Sequence, residues 1–239
     1  GVENSGFIDL RQRASIDVSG AGGGNIDLRS QRLGIQDGST ILSLTEGNNP
    51  GGSINIDISD TVEVIGVNLE RFAPSSILTQ TQGLGSSGNL TLNAGQLSIR
   101  DGGQVSSSSF SPGRSGDITV NLSEKLEVSG GLAVPNGFIS SSLATATLGL
   151  GPGGDLTINS EIALIQENAR INADTLVGDA PAGNVNLNVR ELTLLSGGQV
   201  SANTFGAGNA GDIFIQATDF VEVIGGRESN NSGIFSQVD

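Results

Sequence analysis

One short pattern recurs along almost the whole chain and restricts what the chain can fold into. A glycine and a small polar residue precede an apolar–x–apolar triplet, and seven full copies follow one another at spacings of 28 to 38 residues. The glycines of these copies are Gly24, Gly52, Gly88, Gly116, Gly154, Gly183 and Gly211, and a shorter copy begins at Gly6. A unit of this size cannot bury its apolar side alone, so the copies are expected to stack on one another.

Each copy continues with two further apolar signals. An alternating pair follows the triplet: Leu33/Ile35, Val62/Val64, Leu97/Ile99, Leu126/Val128, Ile162/Leu164, Leu192/Leu194 and Val221/Val223. A third apolar position comes later: Ile41, Ile77, Val105, Ile139, Ile171, Val200 and Ile234. Alternation with period two, interrupted by Gly, Ser, Asn and Asp, predicts three short strands per repeat and no helix.

These signals predict an all-β fold, a right-handed single-stranded parallel β-helix with one turn of chain, or coil, per repeat. Parallel crossover connections are overwhelmingly right-handed, and a propeller would need four antiparallel strands per blade. Seven to eight coils, starting near residues 6, 24, 52, 88, 116, 154, 183 and 211, would make residues 1–239 one solenoid domain. Because no polar cap is apparent at either end, the sequence also predicts a segment of a longer rod, continued by further coils or end-to-end copies.

A column of amide side chains is expected to have a structural role. Its members follow the first strand in five successive coils: Asn93, Asn121, Asn159, Asn188 and Gln216. Stacked amides can donate and accept along the axis, so we interpret the column as a hydrogen-bonded ladder. Asp117, Asp155 and Asp212 stand directly after the repeat glycine, where other copies have Asn or Ser. That interchange is typical of turn capping rather than proton transfer.

Composition excludes several classes of function. The chain has no His, Cys, Met, Trp or Tyr, so histidine bases, cysteine nucleophiles and His- or Cys-built metal sites are impossible. The net charge of −14 disfavours binding to nucleic acid or anionic lipid, and no apolar run is long enough to span a membrane. We therefore expect no catalysis and no cofactor. Calcium stays open without nominated ligands, because the calcium-binding nonapeptide repeat has a different period.

The repeats resemble a known family of exported proteins. The segment from Asn89 to Phe110, NLTLNAGQLSIRDGGQVSSSSF, and SDTVEVIG from Ser59 to Gly66 are similar to cyanobacterial filamentous-haemagglutinin-like exoproteins. The resemblance runs from about Ala14 to Asp239 and implies a two-partner-secretion passenger, exported through an outer-membrane pore to the cell surface or medium. The Asn-Pro motifs of the family's secretion domain are not complete in this sequence. The resemblance therefore implies that the segment is part of the repeat shaft beyond that domain. The resemblance supplies no catalytic residues.

Three functions are compatible with the sequence. The first is a structural and adhesive shaft of a secreted cell-surface exoprotein. The second is binding of surface polysaccharide or matrix through the long loops 66–75, 130–138 and 225–233, in which Phe72 and Phe138 are the aromatic candidates. The third is a polysaccharide lyase or hydrolase, which needs two carboxylates and an arginine on adjacent coils. The basic–acidic candidates are Arg170 with Asp174 and Arg100 with Asp101, and we interpret both as surface pairs.

Overall fold

The computed structural model describes residues 6–135, 137–225 and 231–238, and within these ranges the chain is all-β with no helix. The strands are β1 (Phe7–Leu10), β2 (Ser15–Asp17), β3 (Ile26–Gln36), β4 (Thr40–Thr45), β5 (Ile54–Ile65), β6 (Val67–Asn68), β7 (Ala73–Pro74), β8 (Ser76–Thr81), β9 (Leu90–Arg100), β10 (Gln104–Ser109), β11 (Ile118–Ser129), β12 (Gly131–Val134), β13 (Gly137–Ser140), β14 (Ser142–Thr147), β15 (Leu156–Gln166), β16 (Arg170–Thr175), β17 (Val185–Leu195), β18 (Gln199–Ser201), β19 (Ile213–Ile224) and β20 (Gly233–Phe235).

Two eight-stranded parallel sheets contain most of these strands. Sheet A has the order β1-β3-β5-β9-β11-β15-β17-β19, and sheet B has the order β2-β4-β8-β10-β14-β16-β18-β20. The chain alternates between the sheets, so each strand pairs with the equivalent strand of the next repeat. The predicted all-β architecture of stacked parallel strands is therefore confirmed.

The core consists of apolar columns that cross the strands of both sheets. On sheet A, Ile118 pairs in register with Leu90 on one side and Leu156 on the other, and all three are fully buried. On sheet B, Val105 lies in the same way between Ile77 and Leu143. Because equivalent residues of successive repeats pair in register, one apolar residue per repeat is enough to extend a core column.

Each full repeat contributes two strands to the parallel sheets, where the sequence predicted three. The first two apolar segments run together as one sheet A strand of 11 or 12 residues in the seven full repeats. A register irregularity separates them in most pairings, for example between Asn121 and Lys125 of β11. A bulge re-aims the side chains without ending the strand. The two alternations therefore differ in phase and yet belong to one strand.

Two of the predicted core signals are wrong: the alternating pair Ile162/Leu164 and the third apolar position Ile139. In β15 the buried pair is Ala163 and Ile165, which face the core columns of Leu126 and Val128, while Ile162 and Leu164 are only partly buried on the other face. Ala163 lies in the core between larger apolar residues of the neighbouring strands. Because its side chain is small, the sequence favoured the larger Ile162 and Leu164 as core residues. In the preceding repeat the sheet B position belongs to Leu143, not Ile139.

Ile139 is displaced because the long loops carry hairpins. β12 pairs antiparallel with β13, placing Ile139 opposite Leu132, and β6 pairs with β7 within the loop 66–75. Both hairpins lie between a sheet A strand and the following sheet B strand, so both extend the same corner of the repeat. Most of the third predicted loop, residues 226–230, lies outside the described residues.

The edge strand β19 exposes apolar side chains that are buried at equivalent places elsewhere. Val221 and Val223 are 46% and 45% exposed, whereas their partners Leu192 and Leu194 on β17 are fully buried. Phe220 and Ile224 are exposed to a similar degree. The edge of sheet A that β19 forms is therefore an apolar surface.

Candidate functional site

The repeat glycine marks a close approach between the backbones of neighbouring repeats. A Cβ built on Gly116 would lie 2.1 Å from the carbonyl oxygen of Gly88, and one on Gly154 would lie 2.1 Å from that of Gly116. Similar separations recur at Gly52, Gly88, Gly183 and Gly211. Backbone therefore packs on backbone at this turn, and any side chain would separate the repeats. The glycine that defines the sequence pattern is there for packing.

Four members of the predicted amide column are joined in a hydrogen-bonded series. Asn121 Nδ2 donates to Asn93 Oδ1 at 2.9 Å, and Asn159 Nδ2 donates to Asn121 Oδ1 at 2.7 Å. Asn188 Nδ2 continues the series to Asn159 Oδ1 at 2.9 Å. Gln216 stands in register with Asn188 on β19. The side chains are exposed or half-buried, so the series lies along the outer surface of sheet A.

Asn121→Ala should lower the free energy of unfolding by about 1–2 kcal/mol, since it removes two ladder hydrogen bonds from a half-exposed position. Urea titration measures the change. Asn186→Ala is the matched control, because Asn186 is also half-buried on the outer face of sheet A but belongs to no amide ladder. Equal losses in the two variants would contradict a stabilising role for the ladder.

A second polar column ties the turns together through backbone groups. In five of the six successive pairs of full repeats, the side chain of the residue after the repeat glycine accepts a hydrogen bond from the backbone N–H of its counterpart in the next repeat. Asp117 N donates to Asn89 Oδ1 and Asp155 N donates to Asp117 Oδ1, both at 2.9 Å. Asn184 N to Asp155 Oδ1 and Asp212 N to Asn184 Oδ1 extend the column. These carboxylates act as acceptors within the stack.

Sequence reasoning missed a column of buried hydroxyls at the end of sheet B. Its members are all fully buried: Thr45, Thr81, Ser109, Thr147, Thr175 and Thr204. Thr81 Oγ1 donates to Gly85 O at 2.7 Å and Thr204 Oγ1 donates to Asn209 O at 2.9 Å. Five of the six hydroxyls bind carbonyls of the turn that follows in this way, whereas the buried Thr45 Oγ1 has no partner among the described residues. The signal was present as a Ser or Thr four residues after five of the seven predicted third apolar positions.

The acidic residues of the described ranges do not gather into a metal-binding cluster. No group of three or more carboxylates in these ranges is placed to hold an ion. The same ranges include no helix with the length and hydropathy needed to cross a bilayer. Arg100 pairs with Glu63 of the neighbouring sheet A strand at 3.3 Å rather than with the adjacent Asp101.

The two loop phenylalanines lie in different surroundings. Phe72 is 43% exposed in the tip between β6 and β7, and Phe138 is 49% exposed on β13. Phe138 lines a surface groove of about 760 Å³ that crosses the outer face of sheet B. Arg170 and Asp174 line the same groove. The structure thus brings one predicted loop residue together with the acid–base pair noted in the sequence.

Asp174 is the buried carboxylate of this groove. Its Oδ1 accepts from Asn203 N at 2.7 Å and from Ser201 Oγ at 3.0 Å, and its Oδ2 accepts from Asn172 Nδ2 at 3.1 Å. Burial raises the pKa of Asp174, and these hydrogen bonds together with the charge of Arg170 oppose the rise. Desolvation therefore outweighs the donors that surround the carboxylate.

The raised pKa of Asp174 predicts a definite pH dependence. A carboxyl that binds its proton more tightly in the folded state contributes stability at low pH, and this contribution is lost as the pH rises through the folded pKa. As the pH rises from about 4 through the folded pKa, the wild type should therefore lose stability relative to Asp174→Asn. Urea titrations of both proteins at each pH measure the difference. A difference that is constant with pH would contradict the raised pKa.

No protein-family model, curated protein or solved structure matches this chain. Its function is therefore inferred from its own residues and their contacts.

Proposed function

We propose that the two sheets close into a right-handed parallel β-helix, and that this solenoid is a non-catalytic structural and adhesive shaft of a large secreted exoprotein. The main support is the series of side-chain and backbone contacts that joins each repeat to the next. The amide ladder, the acceptor column after the repeat glycines and the stacked glycines all serve this joining. A chain whose recurring polar residues join one repeat to the next is suited to forming a long shaft.

The proposed location is the extracellular medium or the outer cell surface. The resemblance of Asn89–Phe110 and Ser59–Gly66 to filamentous-haemagglutinin-like repeats supports export by two-partner secretion from a cyanobacterium. The net charge of −14 and the absence of cysteine are compatible with a protein exposed outside the cell. The proposal includes no cofactor.

The proposed partners are further copies of the same repeat unit. β19 presents exposed Phe220, Val221 and Val223 beside the unpaired edge of sheet A. An apolar strand edge favours pairing with another strand. Further coils of the same polypeptide, or an end-to-end copy, would cover it in the way that β19 covers β17.

Surface display tests the adhesive shaft. The chain would be displayed on a non-adherent bacterium, and cell retention under flow would be measured on polysaccharide-coated and matrix-protein-coated surfaces. Cells carrying the anchor alone are the control. Retention above the control on at least one surface is expected. Absence of retention on every surface, or release of sugar fragments from polysaccharides by the purified chain, would contradict a non-catalytic adhesive role.

A second candidate function, recognition of polysaccharide or matrix through the loops, is favoured by the exposed Phe138 on β13. A lyase or hydrolase is less well supported. Asp174 is the one carboxylate among the described residues that line the groove beside Phe138, whereas general acid–base cleavage of a glycosidic bond uses a pair.

A further inference from the structure

The groove on sheet B exists because outward side chains become small in the middle of the sheet. Along one outward column the residues change from Leu42 and Leu78 to Ser106 and Ala144. The parallel column reaches Ala146 on β14. Ser and Ala leave the backbone of β10 and β14 near the surface, so a ligand can approach it closely. The floor is formed by the rigid centre of a sheet.

The lining of the groove combines apolar and polar groups. Phe138, 49% exposed on β13, and Leu176, 41% exposed just beyond the end of β16, are its exposed apolar side chains. The strand β16 contributes its alternate residues Arg170, Asn172 and Asp174. A ligand lying there would meet an aromatic side chain as well as polar groups.

The polar groups of β16 are held in place before any ligand binds. Asp174 is fixed by Ser201 and by the backbone N–H of Asn203, and its Oδ2 holds the Asn172 amide at 3.1 Å. That bond leaves the Asn172 Oδ1 atom and one amide hydrogen directed away from Asp174. Arg170 is exposed and forms no salt bridge with any residue that the structure describes. Asn172 and Arg170 can therefore bind an outside hydroxyl pair, with Asp174 as the positioning residue.

We propose that this groove binds a segment of a neutral, linear polysaccharide. A pyranose ring has an apolar face that packs on an aromatic side chain and equatorial hydroxyls that both donate and accept, which matches a groove lined by Phe138 together with Asn172 and Arg170. The buried Asp174 carboxylate and the net charge of −14 disfavour a polyuronate. The inference rests on the adhesive part of the proposed function and names its ligand.

Isothermal titration calorimetry of the whole chain with cellohexaose, laminarihexaose and xylohexaose tests the proposal. At least one neutral hexasaccharide should bind saturably below about 1 mM. Phe138→Ala and Arg170→Gln should each weaken that binding about tenfold or more, because the first removes the aromatic contact and the second removes the charged hydrogen-bond donor. Phe214→Ala is the matched control, because Phe214 is exposed on β19 of sheet A and does not line the groove. Its affinity should equal that of the wild type.

Unfolding midpoints separate loss of binding from loss of structure. Arg170 is exposed on a central strand, so Arg170→Gln should keep the wild-type midpoint even if Phe138→Ala disturbs the hairpin. Binding that survives in Arg170→Gln and Phe138→Ala, binding of oligogalacturonate or an acidic peptide in place of the neutral sugars, or no binding at all would each overturn the site. If displayed cells that carry the groove variants are still retained under flow, the adhesive function is supported and the proposed ligand of the groove is not.

Discussion

Gly116→Ala should destabilise the protein by about 3 kcal/mol or more, because the added methyl group would collide with the backbone of the neighbouring repeat. The new Cβ would lie 2.1 Å from the carbonyl oxygen and 2.7 Å from the carbonyl carbon of Gly88. Both atoms belong to the backbone of the neighbouring repeat, so relief requires the repeats to move apart. The φ angle of Gly116 lies outside the left-handed region, which makes the penalty one of contact rather than of backbone strain.

Gly20→Ala is the matched control for this substitution. A Cβ on Gly20 meets nothing within 4 Å, so the variant should remain within about 1 kcal/mol of the wild type. Urea denaturation followed by circular dichroism gives both values. A neutral Gly116→Ala would show that the repeats are not packed backbone to backbone at this turn.

Ile118→Ala should lower the free energy of unfolding by about 2–5 kcal/mol, because it opens a cavity in the middle of a continuous apolar column. Ile118 is fully buried between Leu90 and Leu156. Thr119→Ala, one residue further along β11, removes a partly exposed side chain from the outer face and should cost less than about 1 kcal/mol.

The contrast between these two variants tests the register of β11. A slip of one residue would exchange the inner and outer faces of the strand. Equal shifts of the unfolding midpoint would contradict the assignment of Ile118 to the core and Thr119 to the surface. Chemical denaturation of each single variant is sufficient.

The parallel stacking was predictable because the same residue types return at the same place in every repeat. Ile118, Leu90 and Leu156 could be aligned from the sequence alone, and the structure pairs them in register. The number of strands per repeat was not predictable in the same way. Turn residues and a bulge both interrupt an alternation, and only backbone pairing shows that β11 continues from Asn121 to Lys125. Ala163 was missed because its place in the column, rather than its hydropathy, makes it core.

The groove beside Phe138 could be anticipated only in part. The loop residue and the pair Arg170 and Asp174 were visible as separate features, more than thirty positions apart in the sequence. Their meeting depends on the β12–β13 hairpin lying beside sheet B and on small residues at Ser106 and Ala144. Small residues carry no pattern of their own. Such a depression therefore emerges only when neighbouring repeats are placed side by side.

The two side-chain columns give the stack a direction. In each of them the later repeat donates and the earlier repeat accepts, as in Asn121 to Asn93 and Asp117 to Asn89. An assembly continued by these columns would have donors facing one way and acceptors facing the other. Two units placed head to tail would keep this direction, whereas a twofold-symmetric meeting would oppose donor to donor or acceptor to acceptor. Growth of such a fibre would therefore be heterologous and polar, with two ends that select different partners.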